Sequence, residues 1–96
     1  MSDVETRLLN EVLAIREIVA QHGRLSVDIN DLDEDADLYN AGLTSLATVG
    51  IMLALEDRFD FEFSESMLSR KTFRSVAAIA EAVSELSSHA PQTMTV

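Results

Sequence analysis

The chain contains no cysteine and a single proline, and no long apolar run interrupts its charged residues. Without cysteine there is no disulfide framework, no thiolate zinc site and no cysteine nucleophile, so any thiol chemistry must be imported. No apolar stretch approaches the ~18 residues that a bilayer span requires. The opening MSDVETRLLNEV has neither a basic n-region nor a continuous apolar h-region, and the expectation is a protein that stays in the cytoplasm, with no membrane insertion. Positive charge is scarce as well. Seven basic residues stand against seventeen acidic ones, a formal charge of −10. Such a surface repels nucleic acid and anionic membranes and steers encounters toward proteins with Lys/Arg patches. Ninety-six residues make one domain, able to bury roughly two thirds of its unfolded surface in a modest core.

What is present is helical patterning. Val4, Leu8, Val12, Ile15 and Val19 recur at steps of three and four, a stripe that predicts a first helix about 30 Å long. Ser2 and Glu5 have the S-x-x-E form of a capping box, and His22-Gly23 supplies a C-terminal imidazole and a left-handed stop. Residues 24–44 lose the period. A strand there would have nothing to pair with, so the reading is a long ordered loop pinned by Leu25, Val27, Ile29, Leu32, Leu38, Tyr39 and Leu43. Loops of this length in compact domains tend to be functional.

A second helix is predicted from Thr44 or Ser45 to about Phe59. Eight of the ten residues from Leu46 to Leu55 are apolar, so they cover nearly the whole helix circumference: one side is for the core and another for docking. Asp60 to Phe63 form a short extended link, Ser64 caps a one-to-two-turn helix containing Met67 and Leu68, and Thr72 opens a last helix carrying Phe73, Val76, Ile79 or Ala80, Val83 and Leu86. Residues 89–96 read as a disordered tail. The fold class is therefore all-α, an irregular antiparallel four-helix bundle over residues 1–88 with a long loop between its first two helices and a short third helix. Most of the expected core is Leu8, Val12, Ile15, Leu46, Val49, Leu53, Phe59, Phe63, Phe73, Val76, Ile79 and Val83.

Three candidate chemistries arise from the residues alone. The alternating carboxylates Asp31, Asp33, Asp35 and Asp37 invite a calcium loop. A loop beginning at Asp31 would need glycine where Ala36 sits and a glutamate where Gly42 sits, and one beginning at Asp33 would end on Thr44, so no metal site is expected. Ser45 lacks the G-x-S-x-G elbow of a hydrolase nucleophile, and neither His22, at a helix end, nor His89, in the tail, has a natural role as its base. No catalytic residue is expected. The third possibility is that Ser45 opens its helix as a cap, which is what such serines most often do.

The span DLYNAGLTSLATVGIMLALEDRFDFEF, residues 37–63, resembles the core motif of acyl carrier proteins and their peptidyl and aminoacyl relatives. The likeness continues through a following short helix and the T-F-x-S-V opening at Thr72 to Val76, covering about residues 5–86. In that family the serine before leucine, downstream of a loop glycine, carries 4′-phosphopantetheine, and the matching residue here is Ser45. The resemblance implies a non-catalytic carrier. Its prosthetic group comes from coenzyme A by way of a phosphopantetheinyl transferase; a loading ligase charges it with an amino acid or acyl group as a thioester, and a downstream enzyme accepts the cargo. A monomer is expected.

The chain also departs from the family pattern. The family's usual aspartate before the serine, and its frequent acidic residues two and five positions after it, are here Thr44, Ala47 and Gly50. Only Glu56 and Asp57 remain near the far end of the helix, so partners are expected on an apolar patch made of Thr44, Leu46, Ala47, Gly50, Ile51 and Ala54. Gly50, which costs a helix about 1 kcal/mol relative to alanine, reflects either a close helix crossing or the close approach of a partner or of the pantetheine arm. His22 to Val27 and Phe61 to Phe73 look most like small stand-alone bacterial carriers outside primary fatty-acid synthesis, with aminoacyl carriers slightly preferred over specialised acyl carriers. The rival from another class is an unmodified acidic adaptor that binds a partner helix or groove.

Overall fold

A computed structural model describes the backbone of residues 2–94 and the side chains of residues 9–86. Three α-helices, α1 (Ser2–His22), α2 (Ser45–Phe59) and α3 (Val76–Met94), are joined by two long connections, each holding a single 3-10 turn, Ile29–Asp31 and Glu65–Met67. The expected all-α class is what forms. The short third helix is the turn at Glu65–Met67, where Ser64 occupies the cap position without bonding the backbone. Its hydroxyl pairs with Ser66 instead, at 3.1 Å. The capping box at Ser2 and Glu5, the core place given to Leu8, and His89 concern side chains outside the described ones.

Helix α1 packs against both α2 and α3. It buries Ala14, Ile15, Ile18 and Val19, a single face at helical spacing, with Val12 partly covered. Complete burial of an aliphatic side chain such as Ile15 or Val19 stabilises by about 1.5–3 kcal/mol, and such residues supply most of the helix's stability. The helix ends differently from the expected left-handed glycine. Gly23 donates its N–H to the Val19 carbonyl at 2.8 Å, and the residue with positive φ is Arg24, at 53°. Gly23 is needed for space rather than handedness, since a Cβ there would lie 2.6 Å from the Val19 oxygen.

The connection from α1 to α2 is ordered because its backbone groups are satisfied and its apolar residues are buried. Ile29, Leu38, Ala41 and Leu43 enter the core, while Leu25, Leu32 and Tyr39 pack against it. Val27, expected among the pinning residues, is exposed. The work falls to polar staples: Arg16 on α1 donates to the carbonyls of Ile29 at 3.0 Å and Leu32 at 3.2 Å. Two further bonds tie the loop to the start of α3, Leu38 N–H to Arg74 O at 2.7 Å and Ala77 N–H to Glu34 O at 2.9 Å.

Helix α2 is rotated relative to the sequence expectation. Its core row is Ala47, Ile51 and Leu55, at i, i+4 and i+8, whereas Leu46, Val49 and Leu53, placed in the core by the sequence, are exposed. A helix apolar on every side has no hydrophobic period to choose its rotation, so the docking of the loop and α1 decides it. At its end Asp60 adopts the left-handed conformation at φ 59°, and the Glu56 carboxylate accepts the Phe63 N–H at 3.0 Å. Glu56 therefore closes the turn that delivers Phe63 into the core, where its ring meets Phe73 edge-on at 5.3 Å.

Helix α3 begins at Val76, later than the expected Thr72. Its cap is Ser75, whose Oγ accepts the Ala78 N–H at 3.0 Å, and Thr72 instead lies in the preceding turns, its N–H bonded to Ser69 O. Val76, Ile79, Ala82 and Val83 form its buried face. The helix runs to Met94. Thr95 and Val96 lie outside the described residues.

Candidate functional site

Ser45 is the first residue of α2, and the geometry answers whether it is only a cap. It is not the cap. Thr44 holds that position in an extended conformation, its Oγ1 accepting the Ala47 N–H at 3.1 Å and its carbonyl accepting the Thr48 N–H at 2.9 Å. The Ser45 side chain is exposed and makes no hydrogen bond within the described residues. The N–H groups of Ser45 and Leu46 also lack acceptors among the described residues, as is usual in the opening turn of a helix. With the capping task assigned to its neighbour, the Ser45 hydroxyl is left for other chemistry.

The loop before it fixes this presentation. Gly42 has φ +110°, and a Cβ there would come within 3.1 Å of both the backbone N and Oγ of Ser26. Ser26 is itself locked, with its N–H and hydroxyl both donating to Ala41 O at 2.9 Å. Glycine is required on both counts, handedness and space. Tyr39, held by the Asp37 carboxylate through its N–H at 2.9 Å, places its phenol oxygen 3.4 Å from Thr48 Oγ1 on the first turn of α2.

Beside Ser45 lies a groove of about 300 Å³ between α2 and residues 68–73, lined mainly by Tyr39, Val49, Met52, Leu68 and Arg70. Arg70 lies with its guanidinium carbon 4.1 Å from the centroid of the Tyr39 ring, a cation–π contact. No carboxylate lines the groove. A phosphate ester on Ser45 fits these surroundings: free backbone N–H groups and the positive end of the helix dipole meet it on one side, and a guanidinium stands in the adjoining wall.

The apolar docking patch expected from the sequence is only partly at the surface. Thr44 and Leu46 are exposed, and Leu46, at 84 %, is the most exposed large apolar residue among those described. Gly50 and Ala54 are half-buried, but Ala47 (9 %) and Ile51 (0 %) belong to the core and cannot touch a partner. The exposed apolar positions on α2 are instead Leu46, Val49 and Leu53, with Leu68 exposed on the neighbouring segment. Gly50 is not demanded by a helix crossing, since a Cβ there would meet only His22 Cβ at 3.7 Å, an ordinary contact.

Sequence reasoning missed the groove, and with it Arg70, Met52 and Leu68. No local pattern marks them, because the groove exists only once residues 68–73 fold back beside α2. Among the described residues no group of three or more carboxylates or imidazoles gathers as a metal-ligand set, and Asp31, Asp33 and Asp35 are exposed separately. His22 ends α1 beside Gly50 and does not line the groove.

Residues 13–83 match a family model described as a phosphopantetheine attachment site. The chain is 46% identical over 69 residues to an aminoacyl carrier protein of Agrobacterium fabrum, covering 72% of this chain and 83% of that one. It is 38% identical over 60 residues to a D-alanyl carrier protein of Streptococcus sanguinis, covering 62% of this chain and 75% of that one. Among solved structures it resembles a chain in the crystal structure of an engineered Bradyrhizobium japonicum glycine:[carrier protein] ligase complexed with carrier protein from Agrobacterium tumefaciens and AMP. That likeness has a TM-score of 0.74 at 44% identity, over 76% of this chain and 97% of the other.

Proposed function

The chain belongs to the phosphopantetheine attachment family, and from that premise we propose that it is a non-catalytic aminoacyl carrier whose prosthetic group is linked through Ser45. The observation that carries the residue assignment is the division of labour at the start of α2: Thr44 caps the helix, and the adjacent Ser45 hydroxyl is exposed and unbonded. Once attached, the group supplies the thiol that a cysteine-free chain lacks and holds the amino acid as a thioester on a flexible arm. The protein's own residues hold the attachment point still and outward. Gly42 and Ser26 fix the loop, and the first turn of α2 favours the added negative charge.

Amino acids are the preferred cargo because the relatives at 46% and 38% identity are an aminoacyl and a D-alanyl carrier, and because the similar Agrobacterium chain was crystallised with a glycine:[carrier protein] ligase. The partners are then a phosphopantetheinyl transferase, an amino-acid ligase and an acceptor enzyme, each meeting a cytoplasmic monomer. Their common footing is the exposed row Leu46, Val49 and Leu53, framed by a surface of net charge −10 that favours basic rims.

The test is direct. Apo protein incubated with a broad-specificity transferase and coenzyme A gains the mass of one phosphopantetheine, and the Ser45→Ala variant gains none. The modified protein then accepts glycine or alanine from a carrier-protein ligase and ATP as a hydroxylamine-labile adduct. Modification of Ser45→Ala would move the site elsewhere, and refusal of every amino acid with acceptance of an acyl chain would change the cargo.

A further inference from the structure

Gly50 is the one glycine of this chain that the fold does not use. Of the three glycines, Gly42 is required by its positive φ and by the closeness of Ser26, and Gly23 by the Val19 carbonyl oxygen, 2.6 Å from where its Cβ would stand. Gly50 lies inside α2 without a positive φ, and among the described residues a Cβ there would meet only His22 Cβ at 3.7 Å, an ordinary contact. Neither handedness nor space asks for glycine at this position. Apart from proline, glycine is nonetheless the residue least favourable to a helix interior. Its omitted side chain leaves a notch on α2. The neighbours of position 50 along the helix, three and four residues away, are Leu46, Ala47, Leu53 and Ala54, all apolar, and both leucines are exposed. Helix α1 does not fill the notch because it ends at His22, where Gly23 and the left-handed Arg24 lead the chain away. The groove beside Ser45 lies elsewhere on α2, lined by Thr48, Val49 and Met52, and Gly50 takes no part in it.

Accepting that the chain is an aminoacyl carrier charged by a ligase, we infer that Gly50 is a specificity-determining residue for that charging: one apolar side chain of the loading ligase inserts into the notch between Leu46 and Leu53. The occupant is apolar because the walls are apolar, and a polar group seated there would lose water without gaining a hydrogen bond. It belongs to the ligase because the notch interrupts the exposed row Leu46, Val49 and Leu53 on which partners stand, so a protein resting on that row lies directly over position 50. Glycine permits the closest approach that a helix surface allows. The same geometry discriminates. A carrier with an ordinary side chain at this position would clash with the inserted group, so the notch admits this chain and excludes others by sterics rather than by charge.

The experiment charges wild type, Gly50→Ala and Gly50→Leu with glycine, using a glycine:[carrier protein] ligase and ATP, after intact mass has verified one phosphopantetheine on each. Urea unfolding of the same proteins reads the structural effect. Alanine and leucine have similar helix propensities, so both variants unfold at a urea midpoint at or above that of the wild type. Charging separates them by size. The KM for the carrier rises about fivefold in Gly50→Ala and about fiftyfold in Gly50→Leu with little change in kcat, the range that overpacking a fitted contact produces. A gain in stability joined to a loss of recognition is the signature of a glycine kept for a partner. Unchanged KM in both variants, or a lower urea midpoint in Gly50→Ala, would overturn the inference while leaving modification at Ser45 and charging of the wild type intact. Nuclear Overhauser effects between the arm and the Gly50 α-protons in the absence of ligase would assign the notch to the arm and overturn it as well. A wild type that takes phosphopantetheine but no amino acid refutes the aminoacyl reading itself, and the inference falls with it.

Discussion

At the scale of single residues, the site depends on a task being given to Thr44 so that it is not demanded of Ser45. A Thr44→Ala substitution removes the cap bond to Ala47 and lowers stability by about 1 kcal/mol, readable as a lower urea midpoint with unchanged slope. Thr44→Asp, which restores a cap acceptor, should stay near wild type. Gly50 makes the opposite prediction. With only His22 Cβ near its missing side chain, at 3.7 Å, Gly50→Ala raises stability by about 0.5–1 kcal/mol in chemical denaturation. A loss of stability there would mean that the backbones of α1 and α2 are tighter than described. Sequence alone made Ser45 conspicuous by its motif, but it left the cap open between Thr44 and Ser45, since either side chain can accept a helix N–H. Only the extended conformation of Thr44 decides it.

At the scale of elements, α2 contains the clearest separation between what the sequence predicts and what folding decides. Its position, Ser45 to Phe59, was legible from the polar loop before it and the Asp-Phe-Glu-Phe link after it. Its rotation was not, because apolar residues on every side leave the helical period without a phase. The core row and the exposed row consequently exchange places, Ile51 going inside and Leu53, 56 % exposed, outside. The two substitutions Ile51→Ala and Leu53→Ser should therefore part ways. Ile51→Ala costs about 2–5 kcal/mol of stability through lost burial and a cavity, whereas Leu53→Ser stays within about 0.5 kcal/mol of wild type. For partner binding the order reverses, and Leu53→Ser weakens capture by the loading ligase by about tenfold, seen as a raised KM for the carrier with little change in kcat. The groove was illegible for a related reason. Leu68 and Arg70 reach α2 through tertiary folding of a segment whose only regular structure is one 3-10 turn.

For the molecule as a whole, charge and chemistry are separated. A cysteine-free chain of net charge −10 in the phosphopantetheine attachment family takes its thiol from a prosthetic group added after synthesis. Self-repulsion at that charge destabilises the compact state, so the melting temperature of the apo protein should rise as salt is raised from low to physiological strength, while association with a basic partner enzyme slows. A melting temperature that falls with salt would indicate that specific ion pairs outweigh the net charge, which the solvent-accessible pairs Arg58–Glu17 and Arg74–Asp37 give little reason to expect. The central claim rests on Ser45 and is tested most directly by peptide-mapping mass spectrometry of the protein isolated from the cell that makes it. The peptide containing Ser45 is predicted to carry phosphopantetheine, a fraction of it extended by an amino acid that hydroxylamine removes. An unmodified Ser45 in a cell that possesses a competent transferase would contradict the account.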